Sequence, residues 1–548
     1  MNCLFKTTLI VTALISSQIF AADWTSFAGN NANSSATTDY APRDFNKAVI
    51  SFTADLGIKE GSAPVVANGK VYVYANGATG TLYSLDATTL QIQWQSPVMV
   101  NDTAWGSWAT PVVSGSNIVF AADDFLGCWN LDGSQKWSVT LDNKVGNGSC
   151  KITGDKIIVP CFNWANAQQS MSAFDLATGS NLWNVIDPAF ALSACTPVID
   201  EAAGKGYGCS GPLAFQFNLS DGTVGWSKGL PNANSLQNLS MLNSVLFISD
   251  FAFGATVGSN LYSVNTFDGS VNWVAQVNVS DMPPAIEGNV LVHSSGDAWG
   301  VPQELVGIDV GTGTQLWKVA KSLGGWNFMP AISKGVVYAS ANNSTNLTAI
   351  NVTDGSVVSE IALGGASPAI ANDILYTSFE GKLFAYSWKA EDLSVDKANV
   401  KILLTKDEKD NAKLTASIPM TSSPTNWINL YKYLKLQVGD IVFLDWDPTI
   451  IYYQPKEKIS DKKVLWSFKN EEAKVIIKWT AKKKILQIKA SVKKSNLRGT
   501  IPYKTTDGTE TSDITTIFRT GDYDFYAKST DSMTTETKKE KVKLKYKK

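Results

Sequence analysis

A phrase of eleven residues, clearest at Ala173-Phe174-Asp175-Leu176-Ala177-Thr178-Gly179-Ser180-Asn181-Leu182-Trp183, constrains this chain more than any other feature. It reads as a strand ending in aspartate, a tight turn closed by glycine, and a second strand carrying tryptophan. The Asp hydrogen-bonds turn amides, the Thr-Gly pair supplies a polar corner at positive φ, and the Trp has a large flat face to bury. Related phrases run from Leu85-Asp86 to Trp94, from Leu131-Asp132-Gly133 to Trp137, and from Leu219-Ser220-Asp221-Gly222 to Trp226. Others run from Phe267-Asp268-Gly269 to Trp273 and from Ile308-Asp309-Val310-Gly311-Thr312-Gly313 to Trp317. A seventh, Ile350-Asn351-Val352-Thr353-Asp354-Gly355, has Ser359 in the tryptophan's place. The spacing of about 42 to 47 residues is the period of four-stranded propeller blades. Chance Asp-Gly hairpins in a β-rich chain would not repeat period, turn chemistry and Trp together.

The same cycle of strands can be followed around each phrase. In the first, Pro64-Val65-Val66 leads through Asn68-Gly69 into Val71-Tyr72-Val73-Tyr74, and Thr81-Leu82-Tyr83-Ser84-Leu85 reaches the Asp turn. Asn-Gly between alternating apolar runs is a strong hairpin signal. The last cycle starts at Pro368-Ala369-Ile370 and ends at Leu383-Phe384-Ala385-Tyr386 without an outer strand of its own. Val49-Ile50-Ser51-Phe52-Thr53 is a spare outer strand at the opposite end of the same domain. Pairing the two closes the ring and removes two open sheet edges. The sequence thus predicts an all-β chain whose residues 22–390 form an eight-bladed β-propeller closed by strand 49–53, with seven blades as the alternative count.

The Ala-x-Asp-x-x-Thr-Gly-x-x-x-Trp phrase resembles the tryptophan-docking repeat of the pyrroloquinoline-quinone (PQQ, quinoprotein) β-propeller superfamily. The resemblance covers roughly residues 24 to 390. That superfamily includes quinoprotein alcohol dehydrogenases and the non-catalytic lipoprotein of the outer-membrane barrel-assembly machinery. It therefore implies the fold more strongly than any activity.

Residues 1–21 read as a secretory signal: Lys6 in a short n-region, an apolar stretch from Thr8 to Phe20, and small residues at Ala21 and Ala22. The stretch is too short for a permanent transmembrane helix, and no other segment approaches that length. Cys3 precedes the apolar run, so it cannot be a lipidated cysteine, which departs from the barrel-assembly lipoprotein. The expectation is an exported protein, periplasmic or extracellular, without a lipid anchor. Five cysteines then remain. Two local bridges, Cys150 with Cys161 and Cys195 with Cys209, leave Cys128 unpaired; buried free thiols are the alternative.

Net charge is −2, but it is unevenly spread: +10 falls in residues 391–548, and Lys6 adds one in the leader, leaving −13 for residues 22–390 (−2 − 10 − 1 = −13). The acidity of the body follows from the Asp-rich turns. Beyond residue 390 the docking repeats stop and lysine becomes frequent, while alternation persists in Val400-Lys401-Ile402-Leu403-Leu404 and Lys474-Val475-Ile476-Ile477-Lys478-Trp479-Thr480. Residues 391–548 are expected to form a lysine-rich β-sandwich, loosely resembling immunoglobulin-like modules, whose lysines guard exposed strands. The final Lys538–Lys548 stretch is either a last strand or a basic tail.

Function belongs where loops gather. Connections from outer strand to next inner strand, and from second to third strand, emerge on one face. They carry Trp105, Trp108, Asp123, Asp124, Trp164, Asp250, Phe251, Asp297, Trp299 and Trp326 as ligand-face candidates, with packing of the channel mouth as the alternative role. The tryptophans Trp94, Trp137, Trp183, Trp226, Trp273 and Trp317 are assigned to docking between blades.

A quinone enzyme fits less well. The cofactor is a tricarboxylate and calls for basic side chains, whereas the propeller has one arginine, Arg43, and few lysines. The adjacent cysteine pair of the family's catalytic dehydrogenases is absent, and so is any Cys-x-x-Cys-His haem site. The lone His293, at the end of a strand, reads as structural. No residue pattern assigns a metal, and no glycine-rich phosphate loop or nucleic-acid motif stands out. The expectation is a non-catalytic binding or scaffold propeller for a protein or glycan partner, with no cofactor. The alternative is a PQQ- and calcium-dependent quinoprotein oxidoreductase.

Overall fold

The computed structural model describes residues 23–388, apart from 59–61, 76–79, 99–108, 146–147, 164–167, 187–194, 252–258, 297–300, 326–327 and 342–345. Beyond them it describes the strands that lie between residues 391 and 547. The expected leader lies outside the described residues. The chain separates into two compact units, Met1–Ser387 and Trp388–Lys548.

The first unit is an eight-bladed propeller. Blade 1 orders Val65–Ala67, Lys70–Ala75, Thr81–Asp86 and Ile92–Pro97 from the axis outwards, all antiparallel. Blades 4 to 7 repeat this over residues 198–229, 236–277, 285–318 and 331–361. In blade 2 the two middle strands run together as Asn117–Asn130. Asp123 sits at φ 49° where the register breaks. The outer strand of blade 2, Gln135–Val145, runs on to pair with the Lys156–Asn163 strand of blade 3, so these two blades share one hydrogen-bonded sheet. In blade 8 the fourth strand is Ala48–Phe52, paired with Lys382–Trp388. Thr53 N–H donates to Leu383 O at 3.0 Å, and Leu383 N–H donates to Thr53 Oγ1 at 3.1 Å. The ring is closed by the N-terminal strand, within one residue of its expected bounds.

What fastens one blade to the next is an indole lying on a glycine. Trp94, Trp137, Trp226, Trp273 and Trp317 each donate Nε1–H to a turn carbonyl of the following blade: Leu131, Leu176, Thr266, Val310 and Val352, at 2.8–3.1 Å. A Cβ added to Gly133, Gly179, Gly222, Gly269, Gly313 or Gly355 would lie 2.6–2.7 Å from the ring of the preceding blade's Trp. These glycines also sit at φ of 72–89°. Both the bare Cα and the left-handed backbone are therefore required.

Two junctions lack the tryptophan, and both are filled differently. Blade 7 carries Ser359, whose Oγ accepts Phe45 N–H at 3.0 Å; the Phe45 ring lies 5.8 Å from Tyr386 and 6.4 Å from Tyr338. The strand Ala48–Phe52 has no Trp to lay on blade 1, and there the turn glycine is replaced by Leu90, buried in one apolar cluster with Tyr376, Phe384 and Tyr386.

The five cysteines among the described residues are buried free thiols, which corrects the two expected bridges. Lys151 faces Ile158, so Cys150 falls opposite Val159 and is diagonal to Cys161. Val198 faces Tyr207, which carried back sets Cys195 one residue off Cys209, whose N–H donates to Cys195 Sγ at 3.3 Å. Diagonal pairs are too far apart for a disulfide without backbone movement. Cys209 instead does the work of a serine. Ser249, Ser294, Ser340 and Ser378 each donate Oγ–H to a carbonyl of the next blade, at Met282, Gly325, Gly365 and Ser62. Cys209 Sγ donates to Gln237 O from the matching position of blade 4.

In the second unit the described strands follow one hydrogen-bonded path, with Glu391–Asp392 off it and paired to Phe525–Lys538. Lys397–Leu403 pairs on one side with Asp410–Pro419 and on the other with Lys541–Lys547, so the lysine-rich terminus is a strand. Ile441–Trp446, at one end of the path, also approaches Ala473–Thr480 and Ile485–Lys494 near the other, so the sheet rolls back upon itself.

Two predictions follow from the docking and the thiols. Gly313→Ala should lower stability by about 2–4 kcal/mol through strain at positive φ and overpacking against Trp273, read from denaturant melts. A disulfide-forming thiol reagent should label no cysteine of the native chain and all five on unfolding a chain that begins at residue 22. A shift in gel mobility on reduction would contradict this.

Candidate functional site

Four of the ten loop-face candidates are described, and three of these are buried in the fold. Asp123 is buried at the kink of blade 2, and Asp124 beside it is half-buried. Asp250 Oδ1 accepts Ser235 N–H at 2.8 Å and Asn234 N–H at 3.1 Å, and Ser259 Oγ donates to Asp250 O at 2.6 Å. Burial pushes the Asp250 carboxyl upward while these amides pull it back. Phe251 N–H donates to Ser235 O at 2.9 Å, and its ring is buried. Asp250 and Phe251 thus brace the entry to blade 5. Trp105, Trp108, Trp164, Asp297, Trp299 and Trp326 lie outside the described residues.

The axis holds something the sequence did not disclose. Residues 24–37 run around the inner ends of the blades and bond to them in order. Trp24 O accepts Val66 N–H of blade 1, Thr25 O accepts Val113 N–H of blade 2, and Asn31 Nδ2 donates to Ile152 O of blade 3. Asn31 O, Ala32 O, Ser34 O and Ser35 O accept Ile199, Met241, Ile286 and Ile332 N–H of blades 4 to 7. Ala36–Thr37 then adds a short parallel strand to Ala331–Ser333. Phe27 and Ala28 from this segment pack with Ala63, Met282 and Met329 into an apolar cluster.

Lys151 is the charged anchor of this arrangement. It is 0% exposed. Its Nζ donates to Ser26 Oγ at 2.8 Å, Phe27 O at 2.8 Å and Asn30 O at 2.6 Å. Burial pulls its ammonium down to about 7. Asn33 Nδ2 adds bonds to Thr196 O, Pro197 O and Leu239 O, tying blades 4 and 5 to the same segment.

A profile of the family described as "Outer membrane protein assembly factor BamB" matches residues 47–189, 101–318 and 215–408, together spanning most of the propeller and the start of the second unit. The chain belongs to this family. Solved structures share its fold. Quinohemoprotein alcohol dehydrogenase ADHIIG from Pseudomonas putida HK5 is 11% identical, with TM-score 0.54, covering 67% of this chain and 80% of that one. The enzyme of the same name from Comamonas testosteroni is 10% identical, with TM-score 0.54, covering 68% and 81%. BamB from Moraxella catarrhalis is 14% identical, with TM-score 0.48, covering 62% and 100%. No curated protein matches the sequence.

Against the cofactor of such dehydrogenases, the described residues of this BamB-family propeller fit poorly. A tricarboxylate asks for converging cations, but Lys151 is already saturated by three oxygens of its own chain, and Phe27, Met282 and Met329 make the neighbouring surface apolar. Among the described residues, no group of three or more His, Cys, Asp or Glu side chains is placed to hold a metal.

His293, Asp281 and three of the buried thiols are pushed toward their neutral forms. His293, with neither ring nitrogen partnered, is drawn down to about 4 by burial. Asp281 is held well above the usual carboxylate range for the same reason. Burial pushes the Cys128 thiol up to about 11 and those of Cys150 and Cys161 to about 12, which makes them poor nucleophiles.

A pH prediction follows from His293. Its folded pKa lies below the ordinary 6.5, so the folded state binds fewer protons between 6.5 and 4, and stability falls as pH drops through that window. Asp281 acts with the opposite sign, so the comparison must be between variants. His293→Leu should lose less melting temperature than the parent between pH 6.5 and 4; equal losses would contradict this.

Proposed function

We propose that the protein is an exported, non-catalytic propeller that binds a protein or glycan partner through the loop face, and that it acts as a scaffold at the cell envelope or beyond it. The observation that carries this reading is the axis: the inner ends of the blades are occupied by the chain's own residues 24–37, and the buried cation there is bound by them. That arrangement serves rigidity and, among the described residues, leaves no charged cradle for a quinone. Membership of a family described as an outer-membrane protein assembly factor supports a protein partner. The dehydrogenase neighbours support the fold alone. Among the described residues no helix is long and apolar enough to cross a membrane.

The second unit, in this proposal, packs as a two-layered sandwich and works as a spacer or a second binding module. Its lysines keep exposed strands soluble rather than mark a polyanion site.

Two measurements separate this reading from a quinone-dependent oxidoreductase. Addition of PQQ and calcium to the purified protein should give neither a bound chromophore nor dye reduction with alcohols; either one would overturn the proposal. A pull-down from envelope extracts should recover a specific protein or glycan-bearing partner. Recovery of barrel-assembly components would place the chain with its family namesake, and failure to enrich any partner over a control propeller would count against a binding role.

A further inference from the structure

The axial segment and the ring closure are anchored separately. Beyond residue 38 the chain is held by blades 7 and 8: Tyr40 N–H donates to Asp373 Oδ1, Ala41 N–H to Ser333 Oγ, Tyr338 Oη–H to Ala41 O, and Phe45 N–H to Ser359 Oγ. Strand Ala48–Phe52 then closes the ring. Residues 24–35 depend on a different set of bonds, mostly one main-chain hydrogen bond for each blade passed. Thr38 is thus a natural pivot about which the segment could leave while the ring stays shut.

The seated conformation is also a forced one. Ala28, Asn33 and Ser35 hold φ of 54°, 52° and 48°, where residues with side chains are strained and persist only under outside constraint. Turn bonds within the segment hold part of this conformation, and Lys151 holds it from the side of the blades. At the matching inner-strand position the other blades carry Val65, Val112, Val198, Ser240, Ala285, Ala331 and Ala369, all small or apolar. A lysine adds nothing to packing there, yet its three donors are matched by three oxygens of the segment.

We propose that the inner ends of the blades form a binding groove for a turn-containing peptide segment, that residues 24–37 are its resident ligand in cis, and that Lys151 is the latch that keeps them seated. The groove recognises main chain. It presents N–H donors at Val113, Ile199, Met241, Ile286 and Ile332, spaced around the axis, with Lys151 to gather further carbonyls. Release of the segment exposes these donors to the main chain of another peptide of like conformation without opening the propeller. This goes beyond the loop-face reading and does not depend on it.

Hydrogen exchange on the full chain tests the proposal, with Lys151→Met and, as a milder variant in case the first fails to fold, Asn33→Ala. The latch predicts at least tenfold faster exchange at the five groove amides, with outer-strand amides such as Val274 unchanged. A synthetic peptide of residues 23–37, in excess, should bind the Asn33→Ala variant, whose Lys151 is intact, and restore slow exchange at those five positions. Acceleration spread evenly over the blades would show a merely structural lysine and overturn the latch. Unchanged exchange in both variants would do the same. Selective acceleration that the peptide fails to reverse would overturn the groove.

Discussion

An indole plate resting on a bare glycine is the contact on which the whole ring depends. It is cooperative in the chemical sense that neither partner is useful alone. The glycine needs positive φ to close its own turn, and the absence of a Cβ then leaves a flat seat for the neighbour's ring. The turn that supplies the seat also supplies the carbonyl for the indole N–H, so one short stretch meets the apolar and the polar demand of tryptophan together. Trp183 lies on Gly222 with its N–H unpartnered, which shows that the seat alone holds the geometry. The exceptions argue the same point. Leu90 stands in place of glycine where no tryptophan arrives, and Phe45 comes from outside the repeat where blade 7 carries Ser359.

This coupling is why so much of the fold was legible. Where glycine and tryptophan are both present, the Trp stands four residues after the Gly, with an Asp one or four residues before it, and counting outer strands against blades exposes the missing one that Ala48–Phe52 supplies. The cysteine bridges misled because hairpin proximity was read without enough weight on register; Cys150 and Cys161 look close in sequence but stand diagonally, and Cys195 and Cys209 are out of step by one residue. The stretch 24–37 left no periodic trace, since most of its bonds go to successive blades and only its last residues, Ser35 to Thr37, stay on one partner strand. One signal was available and passed over: Lys151 is a charge in an inner strand whose counterparts are all uncharged.

The loop face was legible only as a location. Asp250 and Phe251 looked like ligand groups because they are polar or aromatic and sit at a strand end. Their amide and carbonyl bonds show that a strand end also needs bracing where the chain turns back toward the axis. Composition cannot tell these two uses apart, because both favour the same residue types at the same place.

Electrostatics narrows the chemistry the axis can support. Burial works on Lys151, Asp281 and His293 in the same sense, favouring the uncharged form of each. Active sites that handle anions or protons more often set opposite charges against one another, so that burial of one is offset by the field of the next. Here a lysine is answered by neutral oxygens, and His293 by no polar partner. An interior of this kind penalises a charged guest and tolerates a neutral, hydrogen-bonding one. The main chain of a polypeptide is such a guest, and residues 24–37 already show how it fits.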